Sequence, residues 1–200
     1  EDFHNKIINY SIKKKIKFLS SPFDITSLNI LLKLGIKIVK IPSGEINNYP
    51  LLLEISKKCK EVILSTGMAN YDEISNAIKI LLSNKIKRDK ITILQCTSDY
   101  PTKFKDVNLK VMNEFKKKYK TNIGLSDHTL GNEVAIAAVA LGASIIEKHF
   151  TLNKNMSGPD HFISADPEEF KKMVTIIRNN ERSNGKVTYK ISKSSLPNLP

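Results

Sequence analysis

The chain has 200 residues and a formal net charge of +12, enough for one domain with a substantial core but short of the about 250 residues of a complete eight-stranded α/β barrel. Its basic residues are 29 lysines and 3 arginines scattered through helix-like segments, which reads as a solvated surface and argues against nucleic acid, whose sites cluster arginine with exposed aromatics. Two cysteines, Cys59 and Cys96, exclude a disulfide framework or a cysteine zinc site, and no apolar run reaches the roughly 20 residues that cross a bilayer.

At the start of the chain, Glu1 to Asn5 lacks signal-peptide character. With the sparse cysteines this sets the expectation of a soluble, cytoplasmic protein. Apolar runs near Lys17–Ser20, Lys37–Ile41, Glu61–Ser65, Thr92–Gln95, Asn122–Leu125 and Ser144–His149 read as strands. Helical periodicity falls between them, over Ile25–Leu34, Tyr49–Cys59, Tyr71–Ser83, Asn108–Tyr119 and Glu133–Leu141. Pro167 to Asn180 supplies another helix, with Asp166 as cap and Pro167 at its first position. Alternation of this kind is the signature of repeated βα units in one parallel series. Asn184 to Pro200, rich in Ser, Lys, Asn and Pro, lacks periodicity and reads as a disordered tail after a single domain over residues 1–183.

Polar signatures gather where the predicted strands end: Ser20-Ser21-Pro22-Phe23, Lys40 to Glu45, Ser65 to Met68, Cys96 to Pro101, then Ser126-Asp127-His128-Thr129 and Glu147-Lys148-His149. Such one-sided placement is what the catalytic face of an α/β barrel demands. His128 and His149 lie 21 residues apart, a separation that accommodates one strand–helix–strand unit. Adjacent parallel strands run about 4.8 Å apart, so imidazoles at the same ends of two of them can reach one cation. Two hydrogen-bonded barrel histidines are the plainer alternative, and placement on consecutive strand ends weighs against it. Strand alternation puts Lys40 on the same side as Ile38, as an inward-pointing tip above the barrel core.

Taken in order, Lys-Ile-Pro-Ser-Gly-Glu at 40–45, Leu-Ser-Thr-Gly-Met at 64–68, Gln-Cys-Thr-Ser at 95–98 with Tyr100-Pro101, Ser-Asp-His-Thr-Leu-Gly at 126–131, Glu-Lys-His-Phe-Thr at 147–151 and Gly-Pro-Asp-His at 158–161 resemble the motifs of the sialic acid synthase family. That family includes N-acetylneuraminate, legionaminate and pseudaminate synthases, and the match runs from about Lys17 to Lys172. The resemblance implies a partial TIM (β/α)8 barrel of about six parallel strands, lacking the first two βα units and the C-terminal antifreeze-like domain. Glu1 to Lys15 then reads as what remains of the second barrel helix. On this reading the isolated chain is a fragment of doubtful independent activity, and the full-length form is a homodimer.

The reaction implied is the condensation of phosphoenolpyruvate with N-acetylmannosamine or a related aldehyde sugar. Carbon 3 attacks the aldehyde, water adds at carbon 2, and phosphate leaves by C–O cleavage. By the same resemblance His128 and His149 hold a divalent cation, Mn2+ with Mg2+ as a substitute, and water and substrate oxygens complete an octahedral set. An enol phosphate needs cationic charge and short donors; similarity assigns that role to Lys40, Ser43, Ser65 and Ser126, with Ser21 as a further hydroxyl. Glu45 is placed among the catalytic residues, and Tyr100 and Asp160 around the sugar, Tyr100 being equally readable as a packed loop anchor. Ser98 stands where some members carry asparagine, and His161 reads as a loop residue. Two other functions compete: a Schiff-base aldolase using Lys40 or Lys148, and a non-catalytic degenerate fragment or basic nucleic-acid module.

Overall fold

The structure, a computed structural model, describes residues 2–185 and 191–198. Among the described residues seven α-helices, α1 (Asp2–Lys13), α2 (Ile25–Lys33), α3 (Tyr49–Lys58), α4 (Tyr71–Leu81), α5 (Val111–Tyr119), α6 (Glu133–Ala140) and α7 (Pro167–Ser183), accompany five strands. The strands are β1 (Ile38–Ile41), β2 (Glu61–Ser65), β3 (Ile91–Cys96), β4 (Asn122–Asp127) and β5 (Ile145–Lys148). They pair in parallel, each with the next in sequence, and the sheet curls into part of a barrel. Among the described residues no helix is long and apolar enough to cross a membrane.

One predicted strand is corrected. Lys17–Ser20 touches β1 through a single backbone bond, Lys40 N–H to the Ser20 carbonyl at 3.3 Å, which does not make a ladder. The segment leaves α1 through Lys15 in the left-handed region, φ 58°, and Leu19 stays exposed. Helix α5 likewise starts at Val111 rather than Asn108, because Asn108 sits at φ 51°, outside right-handed helical space. The predicted tail falls partly outside the described residues; 191–198 include a 3-10 turn over Lys193–Asn198.

Local chemistry fixes the other boundaries. Asn70 and Glu73 form a reciprocal capping box at α4, and Asp166 and Glu169 do the same at α7 with Pro167 in its first turn. Alternation along the strands then divides the sheet into two faces. Val39, Ile41, Val62, Leu64, Ile91, Ile93, Ile123 and Leu125 point toward the helices and are buried in the main core. Full burial of each such side chain is worth about 1.5–3 kcal/mol, so the helix-facing side carries the stability. The concave side is left free for Lys40, Ser65, Cys96, Ser126 and Glu147.

Gly124 lies where β4 approaches β5 closely. A Cβ there would run into the Ile145 carbonyl oxygen and lie 2.5 Å from Leu94 Cδ2, and the carbonyl belongs to a paired strand that cannot retreat without breaking its ladder. Gly124→Ala is therefore expected to destabilise the protein by about 1–3 kcal/mol, the cost of overpacking. A denaturant midpoint equal to that of the parent would show that the two strands have room to separate.

Candidate active site

The C-terminal ends of the five strands enclose a cleft of about 460 Å³ lined by Lys40, Pro42, Ser43, Gly44, Ser65, Met68, Cys96, Ser98, Tyr100, Ser126, His128, Glu147 and His149. Registered pairing puts Cys96 opposite Ser126, and Ser126 opposite Glu147, so a band of polar side chains runs across the concave face. A larger groove of about 640 Å³ lies between α3 and α4. Its walls, Tyr49, Pro50, Leu53, Asn76, Lys79, Ile80 and Ser83, carry no carboxylate, thiol or imidazole.

At one end of the cleft Lys40 Nζ lies 3.3 Å from Glu147 Oε1, and the same oxygen accepts a 2.7 Å hydrogen bond from the Ser126 hydroxyl. Ser43 Oγ accepts from the Gly67 N–H at 2.9 Å and donates to Cys96 Sγ at 3.6 Å. A Cβ on Gly67 would collide with Ser98 Oγ and lie 2.9 Å from Ser43 Oγ; the missing side chain lets these groups meet. Ser65 Oγ is buried, its residue 2% exposed, and has no hydrogen-bond partner among the described residues. A buried hydroxyl left alone is costly, and this one lines a cleft that already holds a lysine and further hydroxyls.

At the other end the ring centroids of His128 and His149 are 5.4 Å apart, and the Tyr100 ring lies 4.2 Å from the first and 5.8 Å from the second. His128 Nδ1 faces the Thr97 carbonyl at 2.8 Å. A carbonyl only accepts, so Nδ1 carries the proton, and in the neutral ring Nε2 keeps its lone pair, the tautomer of a metal-binding histidine oriented through its other nitrogen. His149 Nδ1 is 3.8 Å from Asp160 Oδ2. Among the described residues no three His, Cys, Asp or Glu side chains converge on one point. The imidazole pair fits a cation that takes its remaining ligands from water and substrate.

Electrostatics separate the two histidines. Burial pushes the His128 pKa down, but the Cys96 thiol and the Thr97 carbonyl beside it outweigh burial and hold it above the ordinary imidazole range. Burial, then the charge of His128, lower that of His149. Tyr100 is raised by burial and by negative charge at Cys96, Asp160 and Glu147. Burial also acts against ionisation of Cys96, yet contacts with His128 and Ser43 leave its thiol below the usual value. Cys59, under α3, is pushed up to about 11 by burial. Iodoacetamide at neutral pH is accordingly expected to label Cys96 ahead of Cys59, since the thiolate is the nucleophile. Peptide mass spectrometry over a time course reads the order, and faster labelling of Cys59 would contradict this account of the cleft.

The structure thus brings Lys40, Ser43, Ser65, Ser126, Tyr100, His128 and His149 into one cleft. Ser21 and Glu45 do not line it. The Glu45 carboxylate lies in a short turn, Ser43–Glu45, and accepts from Asn48 Nδ2 at 2.7 Å. Asp160 flanks the cleft through its approach to His149. Glu147 was not among the predicted site residues; its signal was alternation, two positions before His149 on β5 and so on the same face. Lys148 points the other way, where its ammonium contacts Asp127 Oδ2 and the Thr129 carbonyl, both at 2.8 Å. That arrangement counts against imine chemistry at Lys148.

A family model described as the NeuB family matches residues 1–189. Over 196 residues the chain is 51% identical to the N,N'-diacetyllegionaminic acid synthase of Campylobacter jejuni, covering 98% of this chain and 59% of that protein. The enzyme of the same name from Legionella pneumophila is 42% identical over 200 residues, with 98% and 56% covered. Among solved structures, the N-acetylneuraminic acid (sialic acid) synthetase of Leptospira borgpetersenii superposes with a TM-score of 0.87 at 38% identity, covering 96% of this chain and 66% of that one. The chain therefore spans only a little over half the length of these curated relatives. By the extent of the family match and the order of its strand-end motifs, it belongs to the NeuB family of sialic acid synthases.

Proposed function

We propose that this chain supplies the phosphoenolpyruvate- and metal-binding part of a nonulosonate synthase, which joins phosphoenolpyruvate to an N-acetylated aldehyde sugar and releases phosphate. The observation that carries the reading is the cleft itself: Lys40, three serine hydroxyls and a histidine pair converge on one face, and the Ser65 hydroxyl is buried without a partner among the described residues. Lys40 offers the phosphate a point charge, and Ser43, Ser65 and Ser126 offer short donors. Glu147 occupies Lys40 and Ser126 until phosphate takes them. Its released carboxylate is then placed to accept a proton from the water that adds at carbon 2.

His128 and His149 would hold the divalent cation, Mn2+ or Mg2+, which when bound supplies a Lewis acid for the aldehyde oxygen. Tyr100 lies tilted against His128 and edge-on to His149, beside the cation's place, and Asp160 would take sugar hydroxyls. The protein's share of the work is alignment of two reactants and stabilisation of developing charge. The identity to legionaminic acid synthases favours a diacetamido sugar over N-acetylmannosamine. A cytoplasmic setting and a homodimeric full-length form belong to the same proposal, and the exposed Phe150, Leu152 and Phe162 support a covered surface on the β5 side.

The test is direct. Full-length protein is incubated with phosphoenolpyruvate, Mn2+ and either sugar, and both phosphate release and the nine-carbon 2-keto acid are measured by mass spectrometry. Stoichiometric formation of both products is expected with at least one sugar. Phosphate release without the keto acid, or neither product with any N-acetylated aldehyde sugar, overturns the assignment.

A further inference from the structure

We propose that the buried Asp127–Lys148 ion pair is a positioning element that sets the spacing of His128 and His149 from the opposite face of the sheet; the inference rests on the metal role given to those histidines. Asp127 and Lys148 are partners in the β4–β5 register, and each immediately precedes a histidine. Alternation sends the histidines into the cleft and the ion pair toward the helices. There Lys148 Nζ meets Asp127 Oδ2 at 2.8 Å with the two side chains 3% and 1% exposed.

Asp127 Oδ1 also accepts from the Thr129 N–H at 2.9 Å and the Thr129 hydroxyl at 2.7 Å, and Lys148 donates to the Thr129 carbonyl. The arc from 127 to 129 is thus held at both ends by two side chains, with His128 between them. Past this pair the ladder ends. The His128 carbonyl turns to the Thr102 N–H at 3.0 Å and the His149 carbonyl to the Ala165 N–H at 2.8 Å, so each histidine is tied to a different loop. Among the described residues, Asp127 and Lys148 form the last registered link between the two strands before their histidines.

Stability alone does not account for such a pair. The desolvation of two charges offsets most of their attraction, and an apolar pair of similar volume commonly does as well. What apolar side chains lack is direction: they cannot fix Thr129 from both sides. The geometry points to placement of the imidazoles as the function of the pair.

The deciding comparison is Asp127→Leu/Lys148→Met against Asp127→Asn in the full-length protein, read by thermal midpoint, by calorimetric titration with Mn2+ alone and by crystallography. Asp127→Asn leaves a buried ammonium uncompensated and should lower the midpoint and weaken Mn2+ binding together. The apolar pair should recover the midpoint while Mn2+ affinity stays about 10–100-fold weaker, the usual cost of losing support behind a ligand, with the centroid separation moved from 5.4 Å. Recovery of Mn2+ affinity along with the midpoint, or an unchanged separation, overturns the proposal. Should the apolar pair not fold, Thr129→Val removes only the hydroxyl bond and should weaken Mn2+ binding a few-fold; parental affinity there overturns the proposal as well. A parent that binds no Mn2+ defeats the metal assignment instead, and the centroid separation then decides the positioning role by itself.

Discussion

Replacing His128 or His149 with alanine is expected to abolish measurable high-affinity Mn2+ binding and to lower turnover by about 1,000-fold or more. A Lewis acid contributes several kcal/mol of charge stabilisation, and each 1.36 kcal/mol is a factor of about ten in rate. His128 and His149 are the two side chains assigned to the cation, and with water and substrate supplying its other ligands neither can be spared. Folding should survive both changes, because His128 and His149 lie on the concave face, away from the helix-packed core. Circular dichroism and calorimetric titration with Mn2+ separate the two effects. The environment of His128 adds a pH dependence. Its pKa is held up by the Cys96 thiol and the Thr97 carbonyl against the opposing effect of burial, so as pH falls a proton competes with the cation at His128 before it does at His149, whose pKa is lowered. Mn2+ affinity should therefore fall as pH drops through the imidazole range, by up to about tenfold per pH unit for one coupled proton. Parental Mn2+ affinity in both alanine variants would place the cation elsewhere.

Much of this site was legible in the sequence because strand alternation is a strict rule. Ser126 and His128 share a parity on β4, and Lys40 shares one with Ile38 on β1, and the structure places all of them on the concave face. The same rule would have identified Glu147 from its spacing to His149. A lone carboxylate before a lysine reads as solvated charge; the β4–β5 register sets it opposite Ser126, and the curl of the sheet brings Lys40 of β1 within reach of it. Glu45 was harder to place. Alternation stops at the end of β1, and the short turn over Ser43–Glu45 redirects side chains in a way no periodicity encodes. The sixth strand failed for a related reason: Lys17–Ser20 has an apolar pattern, but a strand exists only where a neighbour completes its ladder, and a single bond to Lys40 does not. Asn108, in turn, carries helix-compatible neighbours but a left-handed backbone, a choice set by tertiary packing.

Lys40→Ala should raise the phosphoenolpyruvate requirement about 10–100-fold and leave Mn2+ affinity near that of the parent, since a hydrogen bond to a charged group is worth about 1.5–3 kcal/mol. Its partner makes the experiment more informative. With Lys40 gone, Glu147 loses its ion pair and keeps only the Ser126 hydroxyl, so a carboxylate faces the place assigned to the phosphate. Part of the cost in Lys40→Ala is thus repulsion between Glu147 and phosphate rather than the missing attraction. Adding Glu147→Gln to Lys40→Ala should recover several-fold of the apparent affinity for phosphoenolpyruvate while turnover remains low, because the amide no longer repels phosphate but cannot take a proton from water. Steady-state kinetics of the two single variants and the double variant give the coupling between the side chains. Strict additivity would mean that the two residues act independently, and a phosphoenolpyruvate dependence unchanged in Lys40→Ala would move the phosphate to another part of the cleft.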